Sequence, residues 1–273
     1  MKRIIVPANG LKFFCLDTGG DKPVILCLHG RWGRAETWAR FMNRYQDRFR
    51  VIAPDQRGHG LSDKPLARYA SEDLAADAYA IVKGLGCDQI IAIGHSMGAR
   101  VATYLAAAHP ELVRALAILD CTADGNAEVL SLSPEQVSPI DDLTKDWPTP
   151  YPTLADAHAD FAKRFPLPSN VEYFKQSLHE TAAGYDFLFS RRAMAALGHY
   201  NARWFDLLPR ILCPTLLVRA ADSWDLPKET AMKMRTLMRD VEYAEISGSD
   251  HMVYADNPAE FDPVMDRFLG RVS

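Results

Sequence analysis

The chain has no run of about 18 apolar residues, the length that a membrane-spanning helix requires. It also has no Cys-x-x-Cys and no His-x-x-x-His pair, the short spacings from which metal sites are commonly built. Its five cysteines, Cys15, Cys27, Cys87, Cys121 and Cys213, are odd in number and widely spaced, mostly within apolar runs. That usage suits small buried side chains in a reducing compartment better than a disulfide framework. An excess of positive charge is missing too: 31 Lys and Arg against 35 Asp and Glu leave a formal charge of -4. No bulk positive field is available to hold nucleic acid or anionic lipid. At the N-terminus, Lys2 and Arg3 precede only a brief apolar stretch, which Pro7 and Asn9-Gly10 break before a signal-peptide core forms. Together these absences predict a cytoplasmic protein with neither nucleic acid nor membrane as partner and with no metal cofactor.

What is present points to a globular fold. At 48% hydrophobic and 24% charged, the 273 residues lie in the range of folded soluble domains. The length fits one large domain or a domain carrying an insertion. Lys2 to Pro7 and Leu11 to Asp17 read as two strands about a turn at Asn9-Gly10, and Val24 to Leu28 as a third, continuously apolar strand. A helix is expected from about Glu36 to Arg48, a strand at Arg50 to Ala53, and a helix opened by Ser71-Glu72-Asp73 and stopped by Gly86. A strand at Gln89 to Ile93, a helix from Met97 to Ala108 and a strand at Val113 to Leu119 follow. Strands alternating with helices imply an α/β class: parallel crossovers and a mostly parallel central sheet flanked by helices.

The alternation stops at Asp120 and returns at the apolar run Pro214 to Val218, then a helix from Pro227 to Arg239, a short strand at Glu242 to Ile246 and a final helix from Pro258 to Leu269. Between them, proline and aromatic residues become frequent, and the chain reads as loops and irregular helices. The expected organisation is a core of residues 1–120 and 211–273 with a helical cap, or lid, at 121–210, inserted after the sixth strand.

One short stretch carries the chemistry. Ile90-Ile91-Ala92-Ile93-Gly94-His95-Ser96-Met97-Gly98 is a strand, then Gly-x-Ser-x-Gly, then the start of a helix. By chance the five-residue pattern occurs in very roughly one chain in ten of this length, so its context matters more than its presence. A serine on so sharp a turn takes a strained backbone, and neighbours without side chains let strand and helix pass. The turn lifts the hydroxyl out of the sheet and places the Met97 amide at the positive end of a helix. A serine hydroxyl near neutral pH needs a neutral imidazole to take its proton.

With these residues the chain resembles the α/β-hydrolase fold family over residues 24 to 269. Leu26-Cys27-Leu28-His29-Gly30-Arg31-Trp32-Gly33 resembles the family's His-Gly loop, and Val51 to Ser62 its strand-four turn. Ser249-Asp250-His251-Met252-Val253 follows the last strand, where the family keeps its base. The resemblance implies Ser96 as nucleophile, His251 as base, and an oxyanion hole from the amides of Arg31 and Met97. His29, His59 and His95 read as braces of their turns, and Asp55 likewise. The acid stays open among three. The family usually places it in a Gly-x-x-Asp turn after the strand at Thr215 to Val218, but this chain reads Ala220-Ala221-Asp222-Ser223-Trp224-Asp225, with serine at the expected position. Asp222 lies one residue early and Asp225 two residues late. Asp120, twenty-four positions beyond Ser96, matches relatives, among them certain dehalogenases, that take the acid from the end of the preceding strand.

The implied activity, which needs no cofactor, is a serine hydrolase cleaving a small or medium apolar ester or lactone. Two other readings share the motifs: a carbon–carbon bond hydrolase of ring-fission diketones, and a ligand-binding receptor on the same fold. Dehalogenase and epoxide hydrolase activities are disfavoured, because those relatives carry a carboxylate where this chain has Ser96. Three or four aromatic residues of the cap are expected on the pocket wall, and Arg191-Arg192 either meets an acidic substrate group or lies on a solvated helix face.

Overall fold

A computed structural model describes residues 1–126 and 131–272. Its centre is an eight-stranded sheet in the order β1-β2-β4-β3-β5-β6-β9-β10. β1 (Lys2–Ala8), β2 (Leu11–Asp17) and β4 (Arg50–Pro54) pair antiparallel in succession. From β4 onward, through β3 (Val24–Leu28), β5 (Ile90–His95), β6 (Val113–Leu119), β9 (Thr215–Ala220) and β10 (Val241–Ile246), every pairing is parallel.

Parallel strands need crossovers, and these supply the two outer layers. On one face lie α2 (Ser71–Gly84), α3 (Met97–Ala108) and α7 (Lys228–Leu237); on the other lie α1 (Ala39–Tyr45) and α9 (Pro258–Val272). The central strands are apolar without interruption because both faces are covered. Successive side chains point to opposite sides, so Leu26, Leu28, Ile90 and Ala92 join the core that contains Leu74 of α2 and Val101 of α3, while Ile25, Cys27, Ile91 and Ile93 join the core of Phe41 and Phe261.

The helix expected from Glu36 opens as a 3-10 turn, Ala35–Trp38, before α1 begins. It also ends early, because the Tyr45 carbonyl accepts the amides of both Arg48 and Phe49 and tightens the last turn. A one-turn helix, α8 (Val253–Asp256), precedes α9. No helix among the described residues is long and apolar enough to cross a membrane.

Between β6 and β9 the chain leaves the sheet. This inserted segment holds α4 (Leu154–Arg164), α5 (Pro168–Gln176), the hairpin β7 (Leu178–Thr181) with β8 (Gly184–Phe187), and α6 (Arg191–His199). Thr153 caps α4 by accepting the Asp156 amide at 3.1 Å while Asp156 accepts the Thr153 amide, a reciprocal capping box. Trp147 touches the rings of Phe161, Phe165, Phe174 and Phe187, so most aromatic residues here build the segment's own core.

Candidate active site

Ser96 stands between β5 and α3 with φ 53° and ψ -124°, a conformation that costs a non-glycine residue on the order of 1–3 kcal/mol. Gly94 and Gly98 explain how the turn is made. A Cβ on Gly94 would run into the backbone of Gly98 and Ala99, and one on Gly98 into the carbonyls of Leu28 and His29. Main chain from three elements therefore meets at the turn, and Ser96 is left half-buried with its side chain on the wall of a cavity.

Asp120 follows β6 directly, is wholly buried, and also takes positive φ (45°). Its Oδ1 accepts the Ala220 amide at 2.8 Å; its Oδ2 accepts the Ser223 hydroxyl at 2.7 Å and His251 Nδ1 at 2.7 Å. A buried carboxylate with three donors is held in one orientation. An imidazole that donates from Nδ1 keeps its Nε2 lone pair for a proton. His251 is itself buried, and its carbonyl accepts His95 Nε2 at 3.0 Å.

The other acids expected as alternatives lie elsewhere. Asp222 is exposed and its amide donates to the Ser249 carbonyl at 3.0 Å; the turn that closes by Ser223 N–H to Ala220 O sends the neighbouring side chain, Ser223, inward instead. The Asp222 expectation is therefore corrected on geometry: Asp120, not Asp222, meets the imidazole. Asp225 is half-buried, with its carboxyl pushed up by burial, and accepts the Thr122 amide at 3.1 Å rather than His251.

Arg31 belongs to the loop after β3. Among the described residues, neither its amide nor that of Met97 has a hydrogen-bond partner. Its side chain turns away: the guanidinium lies 4.4 Å from the Trp32 ring and donates to the Met194 carbonyl, and burial lowers its pKa to about 10. His29 Nδ1 donates to the Gly30 carbonyl at 2.8 Å and Nε2 accepts the Gln56 amide at 3.0 Å, so it is a neutral brace whose pKa burial lowers to about 4. His59 and His95 are also pushed well down by burial. Asp55 ties Ala35 to Leu61 through their amides, at 2.6 and 2.7 Å.

Ser96, His251, Arg31 and His95 share the wall of one cavity of about 470 Å³, within the size range of small-molecule sites. Trp32, Phe165, Tyr173, Phe174 and Trp224 make it largely apolar. Three of these, Phe165, Tyr173 and Phe174, come from the inserted segment. Arg191 and Arg192 are not on this wall; Arg191 bonds the Thr149 hydroxyl.

Four contributors have no plain sequence signal. Ser223 fills the position where the family usually keeps its acid, and its hydroxyl donates to the Asp120 carboxylate. Trp224, 63% exposed, sets its ring 4.3 Å from that of His251. Asn170 and Asp250 pair across the cavity wall at 3.1 Å, and burial raises the Asp250 carboxyl. Only the oddity of serine in an acid position marks Ser223 beforehand.

Residues 23–156 match the family described as alpha/beta hydrolase fold. The chain is 31% identical to the 2-(acetamidomethylene)succinate hydrolase of Mesorhizobium japonicum over 247 residues, which cover 88% of this chain and 85% of that protein. It is similar to the crystal structure of E-2-(acetamidomethylene)succinate hydrolase with a TM-score of 0.82 at 25% identity, over 98% of this chain and 99% of that one. The enol-lactonase from Burkholderia xenovorans LB400 superposes with a TM-score of 0.77 at 20% identity, over 98% and 100% of the two chains.

Proposed function

The chain belongs to the α/β-hydrolase fold family, and from that premise we propose that it hydrolyses a small or medium-sized, uncharged ester or lactone through an acyl intermediate on Ser96. The observation that carries this reading is the strained Ser96 sharing a cavity with an imidazole whose Nδ1 is bonded to a buried carboxylate.

In the proposed reaction, Ser96 Oγ attacks the carbonyl carbon as His251 Nε2 takes the hydroxyl proton. The amides of Arg31 and Met97 receive the tetrahedral oxyanion, and His251 then gives the proton to the departing alcohol, which in a lactone stays tethered. Water next loses a proton to the same imidazole and attacks the serine ester. Ser96 recovers its proton as the carboxylic acid departs. Asp120 keeps the imidazole in the Nδ1–H tautomer and offsets the charge of the imidazolium. Residues 121–210 act as the cap under which the substrate lies.

The cavity's charge supports an uncharged substrate. The substrate in the name of the Mesorhizobium relative is a succinate, with two carboxylates. Here the wall carries the Asp250 carboxyl, and the Arg31 guanidinium is engaged with the Met194 carbonyl and the Trp32 face.

A panel of chromogenic short-chain esters and lactones, assayed with the wild type, Ser96→Ala and His251→Ala, tests the proposal. Turnover that drops at least about a thousandfold in each variant is expected, with a fluorophosphonate adding once, to Ser96. Undiminished turnover in Ser96→Ala would remove the assignment of the nucleophile. No turnover of any ester or lactone by a protein that still labels at Ser96 would favour diketone cleavage or ligand binding.

A further inference from the structure

We infer that helix α5 holds the His-Gly loop and the His251 loop in register with each other, so that Asn170, Tyr173 and Ser177 are positioning residues; this rests on the reaction proposed above. In the sheet order, three strands separate β3 from β10, whose following loops supply Arg31 and His251. The helix reaches both. Toward the base, the Asn170 amide donates to both oxygens of Asp250, at 3.1 and 3.2 Å, and Ser169 bonds Asp256, which also accepts the Ser249 hydroxyl at 2.6 Å. Toward the oxyanion loop, the Tyr173 hydroxyl donates to the Arg31 carbonyl at 3.1 Å and the Ser177 hydroxyl to the Trp32 carbonyl at 2.7 Å. Positions 170, 173 and 177 fall at i, i+3 and i+7, one face of a helix.

Two features of the His-Gly loop make sense only with that helix seated. Trp32 has φ 66°, a conformation that a bulky residue keeps only when its surroundings over-determine it. Ser177 on its carbonyl, the Phe174 ring 6.1 Å away and Asp141 accepting its indole N–H at 3.2 Å provide that restraint. Gly33, in turn, faces the Tyr173 hydroxyl so closely that any Cβ would collide with it, and a Cβ on Gly30 would come within 2.9 Å of the same oxygen. The loop is small at both places because a tyrosine from the inserted segment lies against it.

The consequence is that α5 works as a strut and not as a moving lid. An oxyanion donor displaced by about 1 Å loses most of its effect, so lifting this helix would disable the site. Leu143, Pro166 and Trp224, which are exposed and also line the cavity, offer substrate a way in that leaves this helix seated.

Ser177 gives the cleanest test, because its side chain is not on the cavity wall and its hydroxyl reaches the His-Gly loop at the Trp32 carbonyl, with a longer contact of 3.5 Å to the Tyr173 carbonyl of its own helix. Ser177→Ala and Tyr173→Phe should each lower kcat about tenfold with KM within about twofold, and should weaken a trifluoromethyl ketone, which mimics the oxyanion, by about the same factor. Ser177→Thr should restore the rate. The control is Tyr151→Phe, which loses a tyrosine hydrogen bond, to Asp160 at 2.7 Å, within the same segment but off the cavity wall; it should change neither quantity. Unchanged kcat in Ser177→Ala and Tyr173→Phe, or a change confined to KM, would overturn the strut while Ser96→Ala remains inactive. Activity persisting in Ser96→Ala would instead overturn the underlying reaction.

Discussion

Asp120 sits at φ 45°, in the left-handed region that aspartate tolerates better than most residues because its short polar side chain bonds locally. The strain is offset by three donors that converge on its carboxylate, one of them His251. Asp120→Asn keeps the shape but presents an amide to Nδ1, which reverses the imidazole tautomer. The expected result is a fall in kcat of roughly a thousandfold or more, with unfolding temperature little changed. Asp222→Asn, at an exposed turn, should stay within about twofold of wild type in the same ester assay. Comparable losses in both would mean that the acid role is not Asp120's. The residues themselves show why this choice was not legible beforehand: Asp120, Asp222 and Asp225 are chemically identical and all follow strand ends. What separates them is which way each turn faces, and that depends on contacts across the sheet.

At the scale of elements, the glycines differ according to what surrounds them. Gly98 is packed against the carbonyls of Leu28 and His29, so Gly98→Ala must push β3 and α3 apart. A stability loss of about 2–4 kcal/mol and loss of turnover are expected. Gly270, in the exposed last turns of α9, has nothing within 4 Å of an added Cβ. There Gly270→Ala should stabilise the protein by about 0.4–1 kcal/mol through helix propensity and a less disordered unfolded chain, with activity unchanged. Denaturant melts of the two variants check both signs. The core strands were legible because each is a continuous apolar run bounded by turn residues. The β7–β8 hairpin was not: its strands are four residues long and mostly polar or half-buried, as in Leu178-His179-Glu180-Thr181, so they show no apolar period. Packing of Phe187 into the aromatic cluster, not local pattern, makes it a strand.

For the whole molecule, three buried histidines set the response to acid. Burial lowers His29 to about 4, and His59 and His95 well below the ordinary value of 6.5. The unfolded chain takes up these protons first as pH falls, so it binds up to about three more than the folded one between pH 6.5 and 4. The contribution of these three rings is therefore present above pH 6.5 and lost as pH falls toward 4, while the carboxyls of Asp55, Asp225 and Asp250, raised by burial, act in the opposite sense at the acid end. Calorimetric melts at pH 7, 6 and 5 should show an accelerating fall in melting temperature, and His59→Gln should flatten it. A melting temperature that is level over this range would contradict the burial of these rings in neutral form.

The sequence by itself determined the α/β alternation, the two-faced core and the bend at Ser96, because each is written in local periodicity or in residues that must be small where backbones cross. Only the tertiary structure decided that Asp120 meets His251 across 131 residues, that Ser223 braces it, and that α5 ties together two loops from distant strands. Those are encounters between chain segments, and their energies depend on distance and burial in space, which spacing along the chain does not encode.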